Sequence, residues 1–487
     1  MALIQLVLPY AEGAYWLAKL RQSSWPMLLE SGQVGQPLQA QTPLSVDEEI
    51  SLGARFDIVV ADPVVKLIHA QQHTTVVTQT ETTVTSQDPF AAIQAWLQPN
   101  TVPNSVLREA GIPFAGGALG YFAYDLGRSI ERLPCLAAQE TPVPDMLVGI
   151  YDWAIIVDHH QQRAQLVSLA RFRTVADIHS LHQQLLATAT PEAREQFAVN
   201  GTLQHNLSPA GYAQAFARVK DYITAGDCYQ INLAQRLSVP VSGDSWQAYE
   251  VFRQFSRAPF MAYLQVDDGQ EQSFEILSMS PERFLQVREG VVETRPIKGT
   301  RPRHVDPVQD ALVAESLAAS SKDRAENLMI VDLLRNDIGK VCEIGSVKVD
   351  ALFRLQRFTN VHHLVSIVRG RLAAGYHALD LLRGCFPGGS ITGAPKLRAM
   401  EIIEALEPHR RHVYCGSIGY IGFDGSMDTN IAIRTAVIYR QQMTFYAGGG
   451  VVADSDCDKE YQETLDKASQ FIRLVQHFQT QSHDRGS

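Results

Sequence analysis

ARFDIVVADP (residues 54–63) and HTTVVTQTETTVTS (residues 73–86) decide the fold class. In both, apolar and polar side chains alternate through runs rich in Val, Ile and Thr, the period of a β-strand with one face turned inward. GGALGYFAYDLGR (116–128) and VGIYDWAIIVDHH (148–160) add further strand signals. No G-x-G-x-x-G follows a strand and no regular βαβ alternation appears, and both absences count against a Rossmann domain. Residues 1–30 read as a strand followed by a helix, and residues 209–226 as a helix closed by Gly226 in the C′ position. Strands and helices then mix as far as residue 478. The reading is α+β, a mixed α/β chain built on large antiparallel sheets.

Length sets the scale: 487 residues, 45% hydrophobic and 19% charged, make two to three domains' worth of core for an ordinary globular protein. The polar stretch 194–208 is the best boundary, dividing an N-terminal region (1–200) from a longer catalytic region (205–478). Residues 33–51, with Gly, Pro, Gln and acids, read as an exposed loop. A net charge of −10 argues against a nucleic-acid groove, and an anionic ligand would require local cations or a metal. The six cysteines are scattered with no CxxC pair, which predicts free thiols in a reducing cytoplasm. The opening MALIQLVLPYAEGAYWLAKL lacks a basic n-region and is interrupted by Gln5, Pro9 and Glu12, so neither a signal peptide nor a membrane span is expected.

Chemistry concentrates in the second region. Pro296-Ile297-Lys298-Gly299-Thr300 presents a lysine on a tight turn. A lysine nucleophile must be neutral, which an isolated one is in roughly one molecule in 2,500 at pH 7. Arg295, Arg301 and Arg303 are expected to favour the neutral amine by charge repulsion; a surface lysine in a basic loop is the plainer alternative. Glu282, in SMSPERF (278–284), stands sixteen residues earlier, a spacing that fits two strands of a hairpin meeting across a site. The competing reading there is a surface pair with Arg283.

SKDRAENLMIVDLLRNDI (321–338) is a helix in which Glu326 shares a stripe with Met329, Ile330 and Leu333, so its carboxylate needs a cation or donors, Arg324 or Arg335 being the plain candidates. A second helix, 455–476, has Tyr461, Leu465, Ala468, Ile472 and Val475 as its apolar stripe. Glu460 and Glu463 project from one side of it. Two acids from this helix and one from the other suit a hard divalent cation such as Mg²⁺, against a solvated Glu463–Lys467 pair. FPGGSITGAPKL (386–397) resembles a phosphate loop but carries Ala394-Pro395 where Lys-Ser/Thr is required, so it is read as a carboxylate site with Pro395 as N1 of the next helix. Gly448, Gly449 and Gly450 allow a ligand to approach the backbone closely.

Taken together, GDCYQINLAQR, SMSPERF, TRPIKGTRPR, KDRAENLMIVDLLRNDIG, VHHLVS, FPGGSITGAPKLRAMEIIE, CGSIGY, MDTNIAIRT and AGGGVVADS resemble the chorismate-utilising enzymes, a likeness that covers nearly the whole chain. The resemblance implies antiparallel sheets packed as a sandwich and flanked by helices. It also implies a Mg²⁺-dependent amination of chorismate to 4-amino-4-deoxychorismate. Lys298 would be the nucleophile, Glu282 its acid/base partner, and Glu326 and Glu463 the metal ligands, with Glu460 close by. Ser390, His363, Tyr414, Arg434 and the Gly448, Gly449 and Gly450 amides would bind substrate, with Lys396 adding positive potential. Two positions select among relatives. Anthranilate synthases resemble this chain but carry alanine at Lys298, and isochorismate and salicylate synthases carry a water-activating lysine at Gln230. Ammonia would come from a separate glutamine amidotransferase subunit in a heterodimer, toward 4-aminobenzoate and folate. Anthranilate synthesis and a non-catalytic sensor of tryptophan or chorismate are the alternatives. The family's tryptophan pocket maps to Ser31, Arg55, Phe56, Pro259, Phe260 and Met261. Arg257-Ala258-Pro259-Phe260 departs from the Asn-Pro-Ser-Pro type of the anthranilate synthases, which counts against feedback inhibition and leaves a structural tryptophan open.

Overall fold

Within the segment that decides the class, the chain changes sheets. Phe56–Val60 pairs with Met27–Glu30 and Trp153–Asp158 in one sheet, whereas Val65–Ala70 and His73–Thr78 pair in another. The crossing takes four residues, with Asp62 in the left-handed region (φ 53°). A computed structural model describes residues 3–32, 55–188, 195–255, 257–269, 272–357 and 361–483. The expected loop at 33–51 lies outside the described residues, as does Arg194 at the edge of the expected boundary.

Among the described residues the strands form a 13-stranded and a 12-stranded sheet, and every ladder between strands is antiparallel. The first runs from Ile4–Leu8 through Phe56–Val60 and Phe260–Asp267 to Gln442–Val451 and Gln230–Ser242. The second runs from Ile297–Pro302 and Val361–Arg371 through Arg283–Arg288 and Ser417–Gly422 to Thr82–Thr85. Both sheets take strands from either side of residues 200–205.

Alternation explains the layers. Ile58 and Val60 face the core shared by the two sheets, with Leu264 and Ile276 beside them and Leu67, Leu119 and Val148 opposite. Val59 and Ala61 face the other way, onto Trp16 and Leu17 of Gly13–Leu20, Tyr249 and Phe252 of Ser245–Phe255, and Phe471 and Leu474 of Cys457–His483. Each buried Val, Leu, Ile or Phe among them contributes roughly 1.5–3 kcal/mol by leaving water. Helix ends follow their local chemistry. Ser208 Oγ accepts from Gly211 N (3.1 Å), Pro209 opens the helix, and Gly226 closes it at φ 81°.

The expected stripe of the C-terminal helix is rotated. Its first turns lie against the glycines of Gln442–Val451, so Glu460 and Thr464 turn inward. Gln235 Nε2 donates to Thr464 Oγ1 (2.5 Å), and Tyr461 rolls aside against Tyr212 (ring centroids 5.2 Å apart).

One buried cation ties these layers together. Arg411, 2% exposed, donates to the Ile391 carbonyl (3.0 Å), the Asn232 carbonyl (2.6 Å) and both Glu407 oxygens (2.6 and 2.8 Å). Glu407 Oε1 in turn accepts from Ala234 N (2.9 Å). Removing one partner of such a pair leaves an uncompensated buried charge. Arg411→Ala is expected to lower unfolding free energy by about 3–5 kcal/mol. Arg108→Ala, which breaks an exposed pair with Glu289, is expected to cost no more than about 1 kcal/mol. Denaturant unfolding of the two variants checks the contrast, and equal losses would refute it.

Candidate active site

Lys298 sits on a strand that continues an earlier one. Val291–Thr294 and Ile297–Pro302 lie in one register along Val361–Arg371, with Val292 opposite Gly370 and Lys298 opposite Leu364. The ladder slips between Lys298 and Thr300, where Gly299 adopts φ 75°; a Cβ there would stand 2.8 Å from Leu317 Cδ1. Glycine is therefore required to turn this half-buried lysine out of the sheet.

Glu282 precedes Arg283–Arg288, the other arm of the same hairpin. Two short segments zip together around it. Ile431 N donates to the Glu282 carbonyl (3.0 Å), Ser280 Oγ to the Ile431 carbonyl (2.6 Å) and Met279 N to the Arg434 carbonyl (3.0 Å). Burial pushes the Glu282 carboxyl up to about 7, although Lys298 and a hydrogen bond from the Ser390 hydroxyl pull it down. Arg283 does not pair with Glu282; it binds Asp428 and Glu293.

Three further carboxylates gather beside Lys298. Glu326 rises because it is buried, partly offset by Lys298 and Lys322. Burial also works against Glu463, but Lys467, Lys298 and Lys322 outweigh it and hold it below its ordinary value. Lys467 Nζ donates to Glu463 Oε1 (2.7 Å) and to the Gly448 carbonyl (2.9 Å), so the i,i+4 pair forms at the site itself. Glu460 is buried and accepts from Ser455 Oγ (2.7 Å). A Cβ on Gly449 would lie 3.1 Å from Glu460 Oε2 and 3.4 Å from Glu463 Oε1, so glycine there leaves room over both acids. Asn327 Nδ2, bonded to the Leu364 carbonyl (3.3 Å), and Ser366 Oγ, bonded to Asn327 Oδ1 (2.5 Å), dock the Glu326 helix on the Lys298 sheet.

The cations expected around Lys298 are spent elsewhere. Arg295 binds Glu293 (2.7 Å), Arg301 binds Asp323 (3.0 Å) and Arg303 binds Asp310 (2.9 Å), so the charges facing Lys298 are carboxylates rather than guanidiniums. Lys396 is corrected in the same way. Its Nζ is held by Asp337 (2.6 Å) and the Cys385 carbonyl (2.8 Å), which removes it as a source of free positive potential. Pro395 is the N-cap of its helix, and Lys396 the first helical residue.

Arg434 is the exception. No carboxylate among the described residues lies within ion-pair distance of its guanidinium, and burial alone lowers its pKa. It faces His363, which burial and Arg434 push down to about 3; the ring is therefore neutral, and its Nδ1 bonds Thr300 Oγ1 (2.9 Å). Tyr414 stands one residue behind the site. Its ring stacks on Tyr446 and its hydroxyl bonds the Cys415 thiol, which lies near enough to Glu282 to feel its charge.

The loop at 386–397 serves packing as well as chemistry. A Cβ on Gly389 would meet Leu333 Cδ2 at 2.4 Å, and one on Gly393 the Gln230 carbonyl at 2.1 Å, while Ser390 reaches Glu282. Gly448, Gly449 and Gly450 pair with Ala234, Leu233 and Asn232. Gln230, fully buried, has no hydrogen-bond partner for its amide, and a Cβ on Gly450 would lie 2.8 Å from its Nε2. Sequence reasoning missed Lys322 as a site residue, although its place four residues before Glu326 was a usable signal.

Away from Lys298, one half-open cavity between the sheets, of about 70 Å³, brings together Ser31, Arg55, Phe56, Pro259, Phe260 and Met261. Arg55 lines it from the side, its guanidinium bonded to Asp158 and set over the Phe56 ring (4.6 Å).

The sequence profile of the chorismate binding enzymes matches residues 47–473. The chain is 47% identical over 478 residues to aminodeoxychorismate synthase component 1 of Salmonella typhimurium, covering 97% of this chain and 98% of that one. It is 45% identical over 475 residues to the protein of the same name from Escherichia coli K12, covering 98% of each. The crystal structure of anthranilate synthase component I from Streptococcus pneumoniae superposes with a TM-score of 0.74 at 29% identity, over 90% of this chain and 98% of that one.

The Glu282 environment has a measurable consequence. The folded protein holds this proton up to about 7, whereas an unfolded glutamate releases it near 4.5. Stability is therefore lost as pH rises through that window, by about 3–4 kcal/mol when complete. Glu282→Gln mimics the protonated form. In metal-free buffer its unfolding free energy is expected to gain on wild type between about pH 5 and pH 8, and a difference that stays flat with pH would show that the carboxyl titrates normally.

Proposed function

The chain belongs to the chorismate-binding enzymes, and from that premise we propose that it is the chorismate-aminating component of an aminodeoxychorismate synthase. The observation that carries the reading is Lys298 at the meeting point of Glu282, Glu326 and Glu463, each of which feels its charge. Chorismate is a dianion, and Arg434, unpaired and set beside neutral His363, is the group suited to one of its carboxylates. The neutral Lys298 amine forms a C–N bond to the ring while the ring C–O bond breaks. Glu282, half-protonated near pH 7, gives its proton to the departing hydroxyl, which leaves as water. Ammonia then displaces the lysine, restoring Lys298 and leaving the ring amine. Gln230 stands where a water-activating base would be needed for the hydroxylating relatives, and an amide cannot take that role.

Glu326, Glu460 and Glu463 are the residues that would hold a Mg²⁺ ion: all offer hard oxygens, Gly449 keeps the room above two of them clear, and a lysine ammonium lies 3.8 Å from Glu326 and from Glu460. Bound there, the ion would neutralise these acids and offer a positive charge to a substrate carboxylate. Ammonia would be supplied by a glutamine amidotransferase, the second component that a component 1 requires. A reducing cytoplasm agrees with six unpaired cysteines, and no described helix is long and apolar enough to cross a membrane.

Incubation with chorismate, Mg²⁺ and ammonium, followed by mass spectrometry, tests the reaction. Wild type is expected to yield aminodeoxychorismate and, without ammonia, a chorismate-derived adduct on Lys298. Lys298→Ala should lose both, and Glu282→Gln should lower kcat by about 10²–10⁴-fold. Anthranilate as the main product would overturn the assignment in favour of the anthranilate relatives; chorismate binding without turnover would favour a sensor. The cavity between the sheets, apolar at Phe56, Phe260 and Met261 and polar at Glu30, Asp428 and Asn430, would hold L-tryptophan as a structural ligand. Denatured protein is expected to release tryptophan in equimolar amount on chromatography, and protein purified without it would refute this occupant.

A further inference from the structure

Lys322 occupies an unusual position for so exposed a side chain. It is the second residue of Ser321–Gly339 and 56% exposed, yet its Nζ lies 3.8 Å from Glu326 Oε1 and 3.8 Å from Glu460 Oε1. The two carboxylates come from different helices and are themselves only 17% and 5% exposed. Each would be costly to hold ionised beside the other without a counter-ion, and Glu460 indeed raises Glu326. Among the described residues no three acidic or imidazole or thiol side chains converge as a metal-ligand set. At the place where Glu326 and Glu460 approach one another, an ammonium stands between them.

Lys322 and Lys467, the two helix-borne lysines of this site, are held differently. Lys467 is fixed by Glu463 at 2.7 Å and by the Gly448 carbonyl at 2.9 Å. Lys322 touches neither of its carboxylates at hydrogen-bond distance, and more than half of its side chain is in water, where a flexible four-carbon stem can swing away at little cost.

We propose that Lys322 is an internal counter-ion that keeps the place of the divalent cation, bridging Glu326 and Glu460 in the metal-free site and displaced when the cation binds. The inference rests on the metal assignment made above and adds to it a residue that sets metal affinity. In the metal-free protein the bridge spares the two helices the repulsion of adjacent carboxylates. In the loaded protein the same ammonium is released toward solvent at the mouth of the site.

Calorimetric titration of the full chain with Mg²⁺ alone, without chorismate, tests this. Lys322→Gln removes the competitor and is expected to bind Mg²⁺ about tenfold more tightly, a change of about 1.4 kcal/mol. Lys322→Arg keeps the charge and adds a bidentate fork, so it is expected to bind Mg²⁺ no more tightly than wild type. Thermal unfolding gives a second readout: metal-free Lys322→Gln should melt below wild type and gain more from added Mg²⁺. Unchanged or weaker Mg²⁺ binding by Lys322→Gln would overturn the proposal while leaving the metal assignment standing. Absence of Mg²⁺ binding by wild type and both variants would overturn the proposal and the metal assignment together, and the Lys298 adduct would still decide the amination reading independently.

Discussion

The Arg411 guanidinium is the constraint on which the site's geometry depends. Four of its hydrogen bonds reach three separate pieces of chain: the Asn232 carbonyl on the Gln230–Ser242 strand, the Ile391 carbonyl in the glycine-rich turn, and Glu407 at the end of Lys396–Leu406. Asn232 Nδ2 binds the Ile391 carbonyl as well (2.9 Å), so strand and turn are locked twice. The turn carries Ser390 to Glu282, and the strand carries Gln230 and the pairing partners of the glycines beneath Glu460 and Glu463. A point cation could satisfy fewer of these acceptors; the planar fork meets a carboxylate and two carbonyls at once. Here the buried charge serves to register the pieces, and its desolvation is offset because almost every donor is used.

Electrostatics in the site follow from which charges are already matched. The protein carries ten more negative than positive side chains, yet a dianion must be admitted. Most nearby cations are committed: Arg295, Arg301, Arg303, Arg283 and Lys396 each hold a carboxylate. Arg434 is left without one, and desolvation with no partner makes it a strong receptor for an incoming carboxylate. The acids opposite it are compensated only by lysines, which bind carboxylates as point charges and exchange readily. On the proposed reading, one side of the site is an anion receptor and the other a seat for a cation, with Lys322 at its edge.

Much of this was legible in the sequence, and the part that was not has one cause. Period-two alternation identified Phe56–Val60 and His73–Thr78 as strands, because side-chain direction in a strand is local. Helix ends at Ser208 and Gly226 were legible for the same reason. The motifs also located Lys298, Glu282, Glu326 and Glu463, which the fold does bring together. The Glu463–Lys467 pair, local to one helix, was read correctly; what failed were the inferences about where the cations near Lys298 and in the glycine-rich loop would act. The arginines beside Lys298 in sequence face away from it, and Lys396 answers to Asp337, fifty-nine residues earlier. The C-terminal helix turned its Glu460 and Thr464 face inward because the surface it meets is glycine, which no pattern within the helix encodes. The crossing between sheets at residues 61–64 was equally hidden, since both flanking strands alternate in the same way.

The remaining tension is between the two reacting groups. The proposed amination requires a proton on Glu282 and a free amine at Lys298, and the charges that Lys298 meets are carboxylates. Burial settles the first requirement: Glu282 keeps its proton to about 7 without help from any other carboxylate. The second cannot be met by the flanking arginines, which are neutralised by Glu293, Asp323 and Asp310. The groups that do feel Lys298 are Glu282, Glu326 and Glu463. A dication on Glu326, Glu460 and Glu463 would offset their charge, and Glu282, which feels Lys298 and the Lys467 that pairs with Glu463, would sense it too. On the proposed reading the nucleophile stands on one hairpin arm, its acid at the start of the other, and the acids that would seat the cation on two separate helices, so three independent elements must be held in register for the reaction.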